Sequence, residues 1–180
     1  NSINSDQLNK KLEKLYLDIE KSTRPVFLIG GGVQNSNAVS ELHELGDILK
    51  IPMYPTWNAL DVVTSDYPYY CGRIGTYGGA GRNFGIQNSD LLISIGSRIS
   101  GRITGGNVKT FAREAKKYMV DVDPGVLTKK YQQVPFDENI NCDAKKFINI
   151  FKEYVLKKKY DSNSKKVNWL NKCIEWKKKY

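Results

Sequence analysis

With 180 residues and 40% hydrophobic side chains, the chain is long enough to form one domain with a substantial core. No apolar run approaches the roughly 20 residues that a membrane-spanning helix needs, and the polar start lacks a signal-peptide profile, so we expect a cytoplasmic protein that does not bind membranes. The net charge of +9 lies in residues 144–180, which hold 12 lysines and three acidic residues. These lysines alternate with apolar positions at helical spacing and no arginine accompanies them, which predicts a solvated helix face and argues against nucleic-acid binding.

The sequence offers little for catalysis or metal binding. Cys71, Cys142 and Cys173 are widely spaced, and His43 is the only histidine. This set lacks the spacing of a zinc site, so we predict free thiols and no metal site. There is no GxxxxGK[ST] loop and no nucleophile–base arrangement, so we predict no catalytic residue in this chain.

The first half of the chain alternates helical periods with the short apolar runs that are typical of buried parallel strands. Helices are predicted around 8–19 and 38–49, and strands over 26–29, 51–55 and 91–96. Asn4 and Gln7 predict a capping box for the first helix. The long Gly- and Tyr-rich segment 56–81 is of the kind that usually faces a ligand.

The second half continues the alternation. Strands are predicted in the runs 118–124 and 139–143, each followed by a capped helix. Asp123 suits the N-cap of a helix that begins at Pro124, and Asp143 the N-cap of the next one. After a polar break the chain carries Trp169 and Cys173 on a last short helix. We place the domain over residues 1–158, and over residues 159–180 a polar linker with the start of a connecting helix.

Strands that alternate with helices predict a Rossmann-like α/β fold, a doubly wound parallel sheet with helices on both faces. In such sheets ligands bind at the carboxyl ends of the strands. Those ends are residues 30–32, 56–58, 96–98 and 121–123. The glycine triplet 30–32 favours either a phosphate cradle or only a tight strand-to-helix turn, since the third glycine of GxGxxG is missing.

Six short motifs occur in order between residues 8 and 155. They are Arg24-Pro25-Val26 with the glycine triplet, Gly75-Thr76-Tyr77-Gly78, the segment 83–98, Arg102-Ile103-Thr104-Gly105, Asp121-Val122-Asp123-Pro124 and Cys142-Asp143-Ala144. In this order and spacing they resemble the central domain of acetolactate synthase and related thiamine-diphosphate enzymes. Each motif alone is unspecific, and the ordered set carries the resemblance.

The resemblance implies a three-domain parent enzyme that decarboxylates a 2-oxo acid and ligates the product to an acceptor, as a homodimer or homotetramer. Thiamine diphosphate and Mg²⁺ would lie between its other two domains. The chain lacks a Gly-Asp-Gly motif and an initiator Met, so we expect a detached middle domain, inactive alone, whose partners are the other domains of the same polypeptide. The alternatives are a free-standing dinucleotide-binding module and a Lys-rich nucleic-acid-binding domain.

The resemblance also implies a site for FAD or ADP within this domain. The residues implied are Gly30, Gly31, Gly32, Thr56, Trp57, Gly75, Thr76, Tyr77, Gly78, Arg98, Arg102, Asp121, Val122, Asp143 and Ala144. Backbone N–H groups and arginines suit a diphosphate, and a carboxylate suits a ribose. The family's G-A-R-F-D-D-R segment is Gly-Ser-Arg-Ile-Ser-Gly-Arg at 96–102, so both of its acidic residues are lost here.

Overall fold

The computed structural model describes residues 4–76 and 78–180, which are built around a five-stranded parallel sheet. The strands are β1 (Pro25–Ile29), β2 (Met53–Pro55), β3 (Leu91–Ile95), β4 (Lys116–Asp121) and β5 (Glu138–Asn141). Their order across the sheet is β2-β1-β3-β4-β5, and every neighbouring pair is parallel. The predicted parallel α/β sheet is therefore confirmed.

Helices cover both faces of this sheet. They are α1 (Ser5–Lys21), α2 (Gly32–Asn35), α3 (Val39–Leu49), α4 (Ala80–Gln87), α5 (Gly101–Thr104), α6 (Ala144–Lys157) and α7 (Ser164–Lys179). The apolar stripes of α1, α3 and α6 form one core with Phe27 and Ile93 of the sheet. Helices α4 and α7 form a second core with Leu28 and Leu92, which point to the opposite face because side chains alternate along a strand.

Two of the three predicted helix caps are confirmed. The side chain of Asn4 accepts a hydrogen bond from the Gln7 N–H at 2.8 Å, and that of Asp143 caps α6. The helix predicted to begin at Pro124 does not form, because residues 124–131 make successive turns instead. There the Asp123 carboxylate accepts from the N–H of Gly125 at 2.8 Å, two residues on, which is the local bond by which Asp favours a turn.

Helix α7 packs against the sheet. Trp169 is 6% exposed, and its indole N–H donates to the carbonyl of Pro25 at 3.0 Å. Gly81 of α4 lies so close that a Cβ there would sit 2.2 Å from the carbonyl oxygen of Trp176. The described part of the chain thus extends its core to α7, and the role of this helix as the connection to a further domain remains a prediction.

The lysines of the C-terminal segment are mostly solvated. Lys165 and Lys172 are exposed, as a solvated helix face requires. Lys166 is the exception to this prediction: it is 1% exposed, and its ammonium group donates to the carbonyl of Glu20 at 3.3 Å. Burial lowers the pKa of Lys166, because the charged form loses its hydration there.

Residues 4–76 and 78–180 contain neither a helix suited to cross a membrane nor a cluster of metal-binding side chains. None of their helices combines the length and the apolar character that a membrane crossing requires. The same residues contain no group of three or more His, Cys, Asp or Glu side chains arranged to hold a metal ion. The cysteines are free and buried.

Candidate functional site

A cleft of about 1180 Å³ crosses the carboxyl ends of the strands. It lies where the strand order reverses, because the chain passes from β1 to β2 on one side and then to β3 on the other. Open α/β sheets bind ligands at such a switch point. All four predicted strand ends contribute to its lining. The volume exceeds the roughly 300–1,000 Å³ that is usual for small-molecule sites, so it suits a large ligand.

The floor of the cleft consists of two turns in close contact, one after β1 and one after β3. The N–H of Gly30 donates to the carbonyl oxygen of Ile95 at 2.9 Å, and the N–H of Gly32 donates to the carbonyl oxygen of Gly96 at 3.0 Å. A Cβ on Gly30 would lie 2.1 Å from the carbonyl oxygen of Gly96, which is itself in the left-handed region with φ +64°. A Cβ on Gly31 would lie 2.8 Å from the carbonyl oxygen of Asn58. Close packing against other backbone atoms therefore explains why these positions carry glycine.

The wall on the β2 side carries an exposed tryptophan. Trp57 begins a 3₁₀ turn directly after β2, is 65% exposed and lines the cleft. The guanidinium carbon of Arg73 lies 4.3 Å from the centroid of its ring, a cation–π contact. Arg73 is not among the residues predicted from the sequence. The signal that could have indicated it is its place in the long polar segment 56–81.

The next part of the wall joins Gly75 and Thr76 to helix α5. The backbone N–H and the hydroxyl of Thr76 both donate to the carbonyl of Arg102, at 2.9 and 3.1 Å. Gly75 has φ +126°, a conformation that favours glycine, and a Cβ there would lie 2.8 Å from the same oxygen. The backbone of Arg102 is thereby fixed, while its exposed side chain lines the cleft. Tyr77, which was predicted here, lies outside the described residues.

The opposite wall follows β4 and is acidic. The Asp121 carboxylate accepts from the N–H of Asp123 at 2.9 Å, and Val122 between them is 67% exposed. A guanidinium nitrogen of Arg98 lies 3.6 Å from the Asp123 carboxylate, with side chains 73% and 46% exposed. An ion pair this exposed contributes little to stability, so Arg98 can exchange the carboxylate for a ligand anion at low cost.

Twelve of the fifteen predicted residues line the cleft. Asp143 and Ala144 do not: they line an adjoining pocket of about 50 Å³. The Asp143 carboxylate is engaged there as the cap of α6, where it accepts from the N–H of Lys146 at 3.0 Å. The structure thus gathers the predicted glycines, arginines and the Asp121–Val122 pair around one space, and leaves these two residues beside it.

A family model and several individual proteins similar in sequence to this chain point to one family. A family model for the thiamine pyrophosphate enzyme central domain matches residues 12–150. The chain is 31% identical over 172 residues to the acetolactate synthase large subunit of Cyanidium caldarium, covering 95% of the chain and 29% of that protein. It is 36% identical over 169 residues to the probable acetolactate synthase large subunit of Methanocaldococcus jannaschii, covering 94% and 27%.

A third relative, the acetolactate synthase isozyme 2 large subunit of Escherichia coli, is 39% identical over 122 residues, covering 68% of the chain and 22% of that protein. The chain therefore spans less than a third of the length of each of these three relatives. The family match covers well over half of the chain and coincides with the parallel sheet and its cleft. On this evidence the chain belongs to the family of thiamine pyrophosphate enzyme central domains.

Proposed function

We propose that this chain is the middle domain of an acetolactate-synthase-like enzyme, a transferase or lyase that decarboxylates a 2-oxo acid and transfers the product to an acceptor. The family match and the names of the relatives support this proposal. Thiamine diphosphate with Mg²⁺ supplies that chemistry when bound, from the other domains of a homodimeric or homotetrameric parent. The domain described here supplies a folded scaffold and a ligand cleft.

We further propose that the cleft binds the diphosphate of FAD or ADP. The observation that carries this is the grouping of Arg73, Arg98 and Arg102 over a floor of closely packed backbone at the switch point of the sheet. Guanidinium groups bind phosphate oxygens in pairs of parallel hydrogen bonds, which gives both strength and orientation. Asp121 stands at the end of β4, where a carboxylate can accept hydrogen bonds from ribose hydroxyls.

The cleft is suited to binding rather than to a reaction. Its described lining contains no His or Lys that could activate the hydroxyl groups of Ser97 and Ser100 as nucleophiles. Its arginines and its aspartates at 121 and 123 can instead hold the two ends of a nucleotide in one orientation. A nucleotide bound only to the folded chain stabilises it, by about 2.7 kcal/mol at a hundredfold excess over Kd.

Ligand binding to the purified chain tests the cleft. FAD and ADP, added separately, are expected to raise the thermal midpoint, and a chain purified with flavin should release it on denaturation. A midpoint unchanged by both ligands would contradict the proposed nucleotide site.

Two further measurements test the place of the domain in a larger enzyme. The reading frame is expected to extend on both sides and to encode a Gly-Asp-Gly motif downstream, and a stop codon directly after Tyr180 would refute this. The isolated chain, supplied with thiamine diphosphate, Mg²⁺ and pyruvate, should release no carbon dioxide above the blank. Measurable turnover would show that the chain holds an active site of its own.

A further inference from the structure

Two of the three cysteines are buried in the same part of the core, beneath α7. Cys71 and Cys173 are far apart in the chain, but both are fully buried and belong to the apolar cluster on the α4 and α7 side of the sheet. Cys142 is buried on the other side, in the cluster with α1, α3 and α6. The fold therefore groups one pair of thiols and keeps the third thiol away from them.

The first thiol of the pair is held beside β2. Met53 of this strand forms a parallel bridge with Tyr70, and the N–H of Cys71 donates to the carbonyl oxygen of Met53 at 2.9 Å. In that register Cys71 is the neighbour of Tyr54, and both side chains point to the side of the sheet that α7 covers. The backbone of Cys71 is thereby fixed at the edge of the sheet.

Helix α7 places the second thiol over the same edge. Lys177 follows Cys173 by four residues and therefore lies on the same face of this helix. The ammonium group of Lys177 donates to the carbonyl oxygen of Tyr70 at 2.9 Å and lies 5.0 Å from the centroid of the Tyr70 ring. Tyr70 immediately precedes Cys71 in the chain. This face of α7 is thus held against the segment that carries Cys71, which brings the two thiols close to each other.

The surroundings of the pair act on its acidity in both directions. Burial raises the pKa of Cys71 most, and the adjacent Cys173 thiol raises it further. The positive charge of Lys177 and the hydroxyl of Tyr54 have the opposite effect, because both favour the thiolate. The Tyr54 hydroxyl is buried and has no hydrogen-bond partner among the described residues. It is therefore free to donate to a thiolate that forms beside it.

We propose that Cys71 and Cys173 form a modification site, at which hydrogen peroxide oxidises the two thiols to a disulfide that ties α7 to the edge of the sheet. One cysteine, as its thiolate, attacks a peroxide oxygen, so that an S–O bond forms, the O–O bond breaks and water leaves. The second thiol attacks the sulfenic sulfur, an S–S bond forms, and its proton departs with the oxygen as a second water. Two thiols are oxidised and one peroxide is reduced.

The reaction depends on the packing of α7 and not on the cleft. Both thiols are fully buried, so peroxide reaches them only when this part of the chain opens locally, and the oxidation is slow compared with that of an exposed thiol. Neither cysteine lines the cleft, so a bound nucleotide is not needed. Once formed, the disulfide prevents α7 from separating from the sheet.

The experiment treats the folded chain with hydrogen peroxide and counts the remaining thiols after unfolding in denaturant. We expect two of the three thiols to be lost, and a non-reduced digest to link the peptides that carry Cys71 and Cys173. Cys142→Ser is the matched control and should give the same linked peptides, whereas Cys173→Ser should give none. A disulfide restricts the unfolded chain, so the oxidised wild type should have a thermal midpoint roughly 5–15 °C above that of the reduced chain, and dithiothreitol should reverse the rise.

Several outcomes would overturn the proposal. Three thiols retained after the treatment would show that the pair does not react, and a link that includes Cys142 would show that the wrong thiols are close together. A link formed only between two chains would contradict the pairing within one fold. An oxidised midpoint equal to the reduced one would refute the tie between α7 and the sheet. If Cys173→Ser does not fold, the peptide maps of the wild type and of Cys142→Ser still decide the result.

Discussion

The contact between the Gly30 turn and the Gly96 turn can be tested by adding a single methyl group. In Gly30→Ala the new Cβ would lie 2.1 Å from the carbonyl oxygen of Gly96 and 2.6 Å from the Cα of Ser97. Both atoms belong to the backbone, so no rotamer change relieves the overlap, and the turns must separate by about 1 Å. Overpacking costs about 1–3 kcal/mol, and loss of the 2.9 Å bond from Gly30 to Ile95 adds about 1 kcal/mol. We expect the free energy of unfolding to fall by about 3 kcal/mol.

Gly106→Ala is the matched control. A Cβ at Gly106 meets no atom within 4 Å, and its φ is not positive, so the same chemical change is made without overlap. Its effect is expected to be neutral or stabilising by up to about 1 kcal/mol, because alanine restricts the unfolded chain more than glycine does. Both variants are measured by urea unfolding followed by circular dichroism, without added ligand.

For a chain of this size, about 3 kcal/mol also corresponds to a thermal midpoint lower by roughly 6–12 °C. Equal urea midpoints for Gly30→Ala and Gly106→Ala would refute the close contact of the two turns. The glycine triplet would then need another explanation, such as close approach of a ligand to its backbone.

Three further variants test the packing and the buried charges. Gly81→Ala is expected to lower the free energy of unfolding by about 2–3 kcal/mol and to make α7 more sensitive to protease, because the new methyl group overlaps the Trp176 carbonyl oxygen. An unchanged digestion rate would contradict the packing of α7 against α4. Burial disfavours the charged form of Asp90, but hydrogen bonds from residues 22–24 outweigh it and lower its pKa. The Asp90 carboxylate should therefore stabilise the folded chain above about pH 4, and this contribution should be lost as pH falls through the lower folded pKa. Asp90→Asn removes the contribution, so a difference in urea midpoints between the variant and the wild type that does not change with pH would refute the reasoning. Lys166→Met should leave stability at pH 7 unchanged or raised, since it removes a buried charge, and a loss above about 2 kcal/mol would contradict that reasoning.

The sheet and most helices could be predicted because their signals are local. A short apolar run such as 91–95 has few alternatives to a buried strand, and Asn4 and Asp143 each cap a helix through a bond to an N–H three residues on. Asp123 carries the same signal, but Gly125 lies two residues after it and the carboxylate bonds there instead. Cap and turn chemistry compete at such a position, and residue type alone does not decide between them.

The composition of the cleft could be predicted only in part, because it depends on contacts between distant segments. The contribution of the strand ends could be predicted, since parallel strands bring their carboxyl ends to one edge of the sheet. The position of Arg73 over Trp57 depends on the path of the long connection after β2, for which the sequence carries no periodic signal. Asp143 follows the last strand, β5, which lies at the edge of the sheet, so its helix cap falls beside the cleft and not inside it.

The glycines of the cleft and its exposed side chains have different roles. The directions in which Gly30, Gly31 and Gly32 would carry a Cβ are filled by backbone of the same chain, so these glycines are required for the fold whether or not a ligand binds. A chain of this family can therefore keep the triplet and the cleft while its ligand changes. The groups that no internal packing requires are the exposed ones, among them the ring of Trp57 and the guanidinium group of Arg98. Ligand identity should accordingly follow substitutions at these two positions, and fold stability should follow substitutions in the triplet.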